Sequence, residues 1–256
     1  MTASPGVDSA LAVLTLLARM PEPMPASLIS RTLGLPRSST YRLLSTLGEH
    51  GFVSYLPDQR RYGLGLAVFE LGSAYQRQAP LARIARPLVE RLVRDTIQNA
   101  HLAVLHGRDV YYVLEHRAPG RRGLVTDVGV RLPATITASG LAMLAQLPRA
   151  GVRALFPDAD ALVRRNGLGP ATPGELRAIL TAVRLRGYAL EEDSVTLGLS
   201  SVARAVLDHS GHPVAAVTVT YVTQEIDAGA VQALVSAVAR TADQLALRLG
   251  GLPGQA

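Results

Sequence analysis

The sequence predicts an α+β protein in two parts: an N-terminal winged helix-turn-helix, then an antiparallel sheet with helices on one or both faces. Three observations predict it. A six-residue helix, a glycine turn and a hydroxyl-rich helix follow one another between residues 28 and 50. A strand, a short basic loop and a second strand come directly after. Beyond residue 99, strand pairs joined by tight turns are interspersed with long amphipathic helices.

Composition bounds what these parts can be. The chain has 256 residues, 48% of them hydrophobic and 18% charged, enough apolar surface for two modest cores. Aromatic residues are only 4% and Trp is absent, so the cores rest on Leu, Val, Ala and Ile. The net charge is +6, and all 26 basic residues are Arg, whose planar fork suits phosphates and base edges. The absence of Cys excludes disulfides, thiolate catalysis and Cys-containing zinc sites. The apolar stretch Ala10–Ala18 has no basic residue before it, carries Asp8 at its edge and is closed by Arg19. It therefore reads as a helix rather than a leader. No run reaches the roughly 18 apolar residues that a bilayer span needs, so a soluble, cytoplasmic protein is expected.

The first helix is expected from Asp8 or Ser9, as cap, to about Met20, with Leu11, Leu14 and Leu17 or Ala18 inward. Pro21–Pro25 break the chain. Ser27 is positioned to cap a second helix, Leu28–Leu33, which Gly34 ends. The third helix runs from Pro36 to Gly51. On a helical wheel Thr40, Leu44 and Leu47 share one side, while Ser38, Ser39, Arg42 and Thr46 lie opposite. Small hydroxyls let such a helix approach base edges, and Arg42 can span a guanine's paired acceptors. Arg37, at the helix start, is suited to the backbone. Residues 52–65 read as a two-stranded wing turning at Pro57-Asp58-Gln59, with Arg60 and Arg61 on its loop.

Residues 65–78 read as a linker helix whose Leu66, Phe69 and Leu71 suit packing against a second subunit, and Leu81–Asn99 as another, interrupted near Pro87. Residues 101–117 form two strands turning at His106–Asp109, and a further strand is expected around Leu124–Val128. A loop then enters a helix at about Ser139. Thr172-Pro173 with Glu175 starts a helix that ends at Gly187. Two strands meet at Ser210-Gly211-His212, and Ala228–Leu249 closes the chain as a helix.

No catalytic constellation is present. The spacing of His101, His106 and His116 matches no metal motif, and Glu191-Glu192-Asp193 reads as a solvated turn. No metal or cofactor is expected. Two Gly- and hydroxyl-bearing loops, TITASG and SVTLGLSS, can present backbone N–H groups to a small polar ligand through Thr137, Ser139, Ser200 and Ser201. Besides a purely structural adaptor, the residues alone leave two functions open. One is a DNA-binding regulator with an effector domain. The other is a metabolite-binding or enzymatic α+β domain with a winged-helix head that binds protein.

The segments GLPRSSTYRLLSTLGEHGFV, RRYGLG, VGVRLPATITASGLAMLA and LRAILTAVRLRGYALEEDSVTLGLSSVARAVLDHSGHPVAAVTVT, in this order, strongly resemble the IclR family of bacterial transcriptional regulators over nearly the whole chain. The resemblance implies a repressor-type transcription factor that binds palindromic operator DNA as a homodimer or homotetramer. It implies a GAF-like C-terminal domain for a small organic effector, such as an organic or aromatic acid. The corresponding division is residues 1–64, a linker helix over 65–80, and 81–256. By analogy the DNA-binding residues are Arg37, Ser38, Ser39, Tyr41, Arg42, Arg60 and Arg61. The effector-binding residues are Thr137, Ala138, Ser139, Gly140, Asp193, Gly198, Ser200 and Ser201. The sequence departs from the family pattern in four places: Thr135-Ile136-Thr137-Ala138 stands where His-Ala-Thr-Ala is usual, Leu141 replaces a usual Lys, Leu197-Gly198-Leu199 a common Pro-Gly-Val, and Ser200 or Ser201 a frequent Cys. These changes allow a larger or less charged effector.

Overall fold

The computed structural model describes residues 4–78, 80–121 and 128–251, and the chain divides into two compact units, Met1–Ala79 and Pro80–Ala256. The first unit holds α1 (Pro5–Arg19), α2 (Ala26–Leu33), α3 (Arg37–Glu49), β1 (Val53–Leu56), β2 (Arg61–Leu64) and α4 (Leu66–Gln78). α1 starts ahead of the expected cap because Pro5 occupies its first turn, where a missing N–H is harmless and φ is preset. Its buried stripe is Val13, Leu16 and Leu17, whereas Leu11 is exposed, so the inward face is rotated from the expected one. These residues meet Met24, Ile29, Leu44 and Val53 in a small core. α2 begins at Ala26 with Pro25 before it, so Ser27 caps nothing and points to solvent. β1 and β2 pair antiparallel from Val53↔Leu64 to Leu56↔Arg61. The proline-rich break adds to this wing, since Met24 and Tyr62 exchange both backbone hydrogen bonds at 2.9 and 2.8 Å.

The second unit holds α5 (Pro80–Thr96), β3 (Asn99–His106), β4 (Asp109–His116), β5 (Arg131–Pro133), α6 (Ala138–Gln146), α7 (Arg149–Leu155), α8 (Pro173–Arg186), β6 (Ala189–Glu192), β7 (Leu199–Leu207), β8 (Pro213–Val222) and α9 (Ala228–Arg248). The strands form one antiparallel sheet in the order β5-β4-β3-β8-β7-β6. α5 and α9 cover one face, where Leu88, Val89, Leu92, Val217, Val219, Val238 and Leu245 make the larger core. α6, α7 and α8 cover the other, around Met143, Leu144, Phe156, Leu176 and Leu180. Alternation divides each strand between these layers. Ala100 and Leu102 of β3 face α5 and α9, and Ala103 faces α6, with His101 beside it on that side. A bulge at Leu102/Ala103 opposes Ala103 to Tyr112, bringing Tyr112 to the same layer.

Several elements differ from expectation. The strand anticipated around Leu124–Val128 lies almost wholly outside the described residues, and Val128 sits in a turn; β5 instead forms at Arg131–Pro133, within a presumed loop. α5 continues across Pro87. α7, between Pro148 and Pro157, is too short to show periodicity. β6 replaces the expected acidic turn, because Ala189 and Glu191 alternate inward as an edge strand on β7.

Candidate functional site

The first candidate surface is α3 with the wing. Gly34, at φ 64°, lets the chain turn sharply from α2 into α3. Buried Ser30 fixes that turn: its Oγ donates to the Leu35 carbonyl at 2.7 Å, and its own carbonyl accepts from the Leu35 N–H at 3.0 Å. Thr40 and Leu44 then anchor α3 in the core. Arg37, Ser38, Tyr41 and Arg42 are left exposed and Ser39 half-buried, so the five expected residues share the first two turns. Tyr41 is 55% exposed. The two wing arginines separate. Arg60 sits in the turn, exposed and at φ 51°. Arg61 is instead the first residue of β2, and its guanidinium donates to Glu22 at 3.2 Å and to the Pro23 carbonyl at 3.1 Å. It braces the wing against the preceding loop rather than standing on the tip.

The second candidate is a cavity of about 20 Å³ between the sheet and the start of α6. Its floor is polar where a sheet core is ordinarily apolar: His101 from β3, Tyr112 from β4, Thr218 and Thr220 from β8, Ser201 from β7 and Glu191 from β6. Thr137, Ala138 and Ser139 close it from α6, and Val195, Thr196 and Leu199 from the loop before β7. The hydroxyls pair across elements, Ser139 with Thr218 at 3.2 Å and Ser201 with Thr220 at 2.9 Å. Glu191 accepts the N–H groups of Ser194 and Val195 at 2.7 and 3.1 Å, and a hydrogen bond from Ser201. Burial nevertheless raises its pKa above the ordinary carboxylate value. Burial also pushes the Tyr112 hydroxyl up to about 12, against a bond to Ser139 that favours ionisation.

His101 is the outlier. It is 1% exposed, lies edge-on to Tyr112 at 4.9 Å, and its Nδ1 has no hydrogen-bond partner among the described residues. Burial pushes its pKa from 6.5 down to about 3, so the ring is neutral. The unfolded chain gains a proton at this ring below 6.5 and the folded chain does not, so stability falls as the pH drops from 6.5 towards 3. Wild type is expected to lose stability relative to His101→Gln as the pH is lowered from about 7 to about 5. A pH-independent difference in denaturation midpoint would contradict a neutral, buried His101.

Of the expected effector residues, Thr137, Ala138, Ser139 and Ser201 line this cavity. The others have different positions. Ser200 points to the opposite sheet face, where its Oγ pairs with Thr223 at 2.8 Å. Asp193 (φ 59°) and Gly198 tie off the loop, the Gly198 N–H donating to the Asp193 carboxylate at 2.6 Å. Gly140 is structural: a Cβ there would lie 2.2 Å from the Ala134 carbonyl oxygen. The N–H of Gly140 donates to the capping Thr137 Oγ1 at 3.1 Å. Leu141 faces a separate, more open cleft of about 540 Å³ beside Ile136, Ile179 and Leu190. Sequence reasoning missed His101, Tyr112, Glu191, Thr218 and Thr220. Among the described residues no cluster of three His, Asp or Glu side chains is set to hold a metal, and no helix is long and apolar enough to cross a membrane.

Comparison with known proteins assigns both units. Residues 6–57 match the IclR helix-turn-helix domain, and residues 73–247 match the bacterial transcriptional regulator IclR C-terminal domain. The HTH-type transcriptional regulator XynR of Escherichia coli is 29% identical, with 86% of this chain and 87% of that protein aligned. The glycerol operon regulatory protein of Streptomyces coelicolor is 31% identical over 84% of this chain and 83% of its own. A solved transcriptional regulator from Alicyclobacillus acidocaldarius superposes with a TM-score of 0.81 at 25% identity, covering 98% of this chain and 100% of that one.

Proposed function

The chain belongs to the IclR family of bacterial transcriptional regulators, a DNA-binding regulator with a ligand-binding C-terminal domain rather than an enzyme, and from that premise we propose that it is a repressor released by a small organic metabolite. In this reading α3 enters the major groove of a palindromic operator, with Arg42 reading a base and Ser38 and Ser39 allowing close approach. Arg37 and Arg60 contact phosphates and Arg61 stiffens the wing. Two chains pair, so that two heads read related half-sites. Leu66, Phe69 and Leu71, exposed on α4, suit the pairing of two linker helices. The residues described as 65–80 then serve as the linker between a DNA-binding head and an effector domain.

The observation that carries the metabolite half is the fully buried Nδ1 of His101, without a hydrogen-bond partner among the described residues, in the polar floor of this cavity. A buried polar atom without a partner is uncommon, and a cavity of convergent hydroxyls around it is where a ligand completes the bonding. Regulation follows only if the compound binds one arrangement of the paired heads better than another. The test is gel retardation of the DNA adjoining the gene, repeated with a panel of small metabolites. A retarded band released by one of them is expected. Failure to retain that DNA, or a complex indifferent to every compound that binds the protein, would contradict the proposal. The family resemblance makes organic and aromatic acids the first class to try, but the cavity's own chemistry redirects that choice.

A further inference from the structure

Resting on the assignment of the His101 cavity as the effector site, we infer that the compound it takes is a compact, uncharged polyhydroxyl molecule and not a carboxylate. Charge is the first reason. None of the described residues lining the cavity is Arg, and the one ionisable acid, Glu191, is already there. Its carboxylate is held by two backbone N–H groups and Ser201, so it neither needs a cationic ligand nor tolerates a second anion beside it. An entering carboxylate would find one compensation, the first-turn N–H groups of α6 at Ala138 and Ser139. His101 would have to take up a proton to add another, and burial sets it firmly against doing so.

Hydrogen-bond balance is the second reason. The lining is rich in acceptors: the hydroxyl pairs Ser139/Thr218 and Ser201/Thr220 keep unused lone pairs, and Glu191 is an acceptor while ionised. An ionised carboxylate brings acceptors only. A polyol brings an O–H and a lone pair on every oxygen, so it can donate to the threonines, accept from the α6 N–H groups and meet His101 Nδ1 in either tautomer. Size is the third. The space between these residues holds roughly one water-sized group, so a compact ligand displaces the Val195-Thr196 cover least.

Titration calorimetry of the full-length protein with glycerol, erythritol and ribose, against acetate, glyoxylate and benzoate, tests the inference. At least one polyol is expected to bind, with no measurable heat from the acids. The near-isosteric Thr218→Val and the separate His101→Gln are each expected to weaken that polyol by about tenfold or more, their unliganded melting points showing that they fold. Binding of the acids with the polyols silent, or of both classes with similar Kd, overturns the inference and leaves the effector site standing. Silence from all six compounds overturns the inference and the effector site together.

Discussion

Replacing Arg42 by Ala is expected to weaken binding to the operator by about ten- to a hundredfold, while binding to random duplex falls far less. Arg42 is exposed on the second turn of α3, beside Ser38 and Ser39 and opposite the anchoring Thr40 and Leu44. Among the described residues no carboxylate holds its guanidinium, and Glu49, on the same helix, accepts from Ser45 at 3.3 Å. The side chain is thus available to fork onto a guanine edge, a contact that discriminates among bases as a phosphate contact cannot. Affinities on operator and random DNA, measured by fluorescence anisotropy at several salt concentrations, separate the two roles. Equal losses on both, with the salt slope reduced by about one, would make Arg42 a phosphate contact.

Gly140→Ala is expected to destabilise the second unit by about 3 kcal/mol or more. The added Cβ would stand 2.2 Å from the Ala134 carbonyl oxygen and 2.4 Å from the Ala134 Cα. These are backbone atoms, in the tight turn between β5 and α6, and they cannot swing aside as a flexible side chain would. Relief requires α6 to lift from its seat, which pulls Thr137, Ser139 and the helix N-terminus away from Thr218 and His101. The variant should therefore lose ligand binding together with stability. Urea denaturation followed by a probe in each unit would show the second transition shifted to lower denaturant, the units being scored separately because one two-state curve does not describe both. An unshifted second transition would mean that the seat of α6 is more yielding than its geometry implies.

The head was legible because its signals are local. Gly34 at the turn, hydroxyls and Arg42 on one side of a helix, and a basic turn between two strands all fall between residues 34 and 61. The structure revised details that depend on packing, such as which stripe of α1 turns inward, or whether Arg61 stands on the wing tip or leans on Glu22. The cavity was only half legible. TITASG and Ser201 announce themselves through glycine and hydroxyls, yet their partners come from four other strands. His101, Tyr112, Glu191, Thr218 and Thr220 meet only after the sheet order β4-β3-β8-β7-β6 is known. A faint signal existed: Thr218 and Thr220 are spaced by two in an otherwise apolar strand, and His101 occupies an inward position between apolar residues. Which of Ser200 and Ser201 faces the cavity could not be read without the register, because one step along β7 exchanges the two faces of the sheet.

Hydroxyl-radical footprinting of the full-length protein on the DNA adjoining its gene tests the central claim most directly. Two paired, base-reading heads predict two protected patches of related inverted sequence, centred about one helical turn or a whole multiple of it apart, that persist in excess random duplex. Protection spread evenly along the fragment, or lost to the same random duplex, would contradict the account.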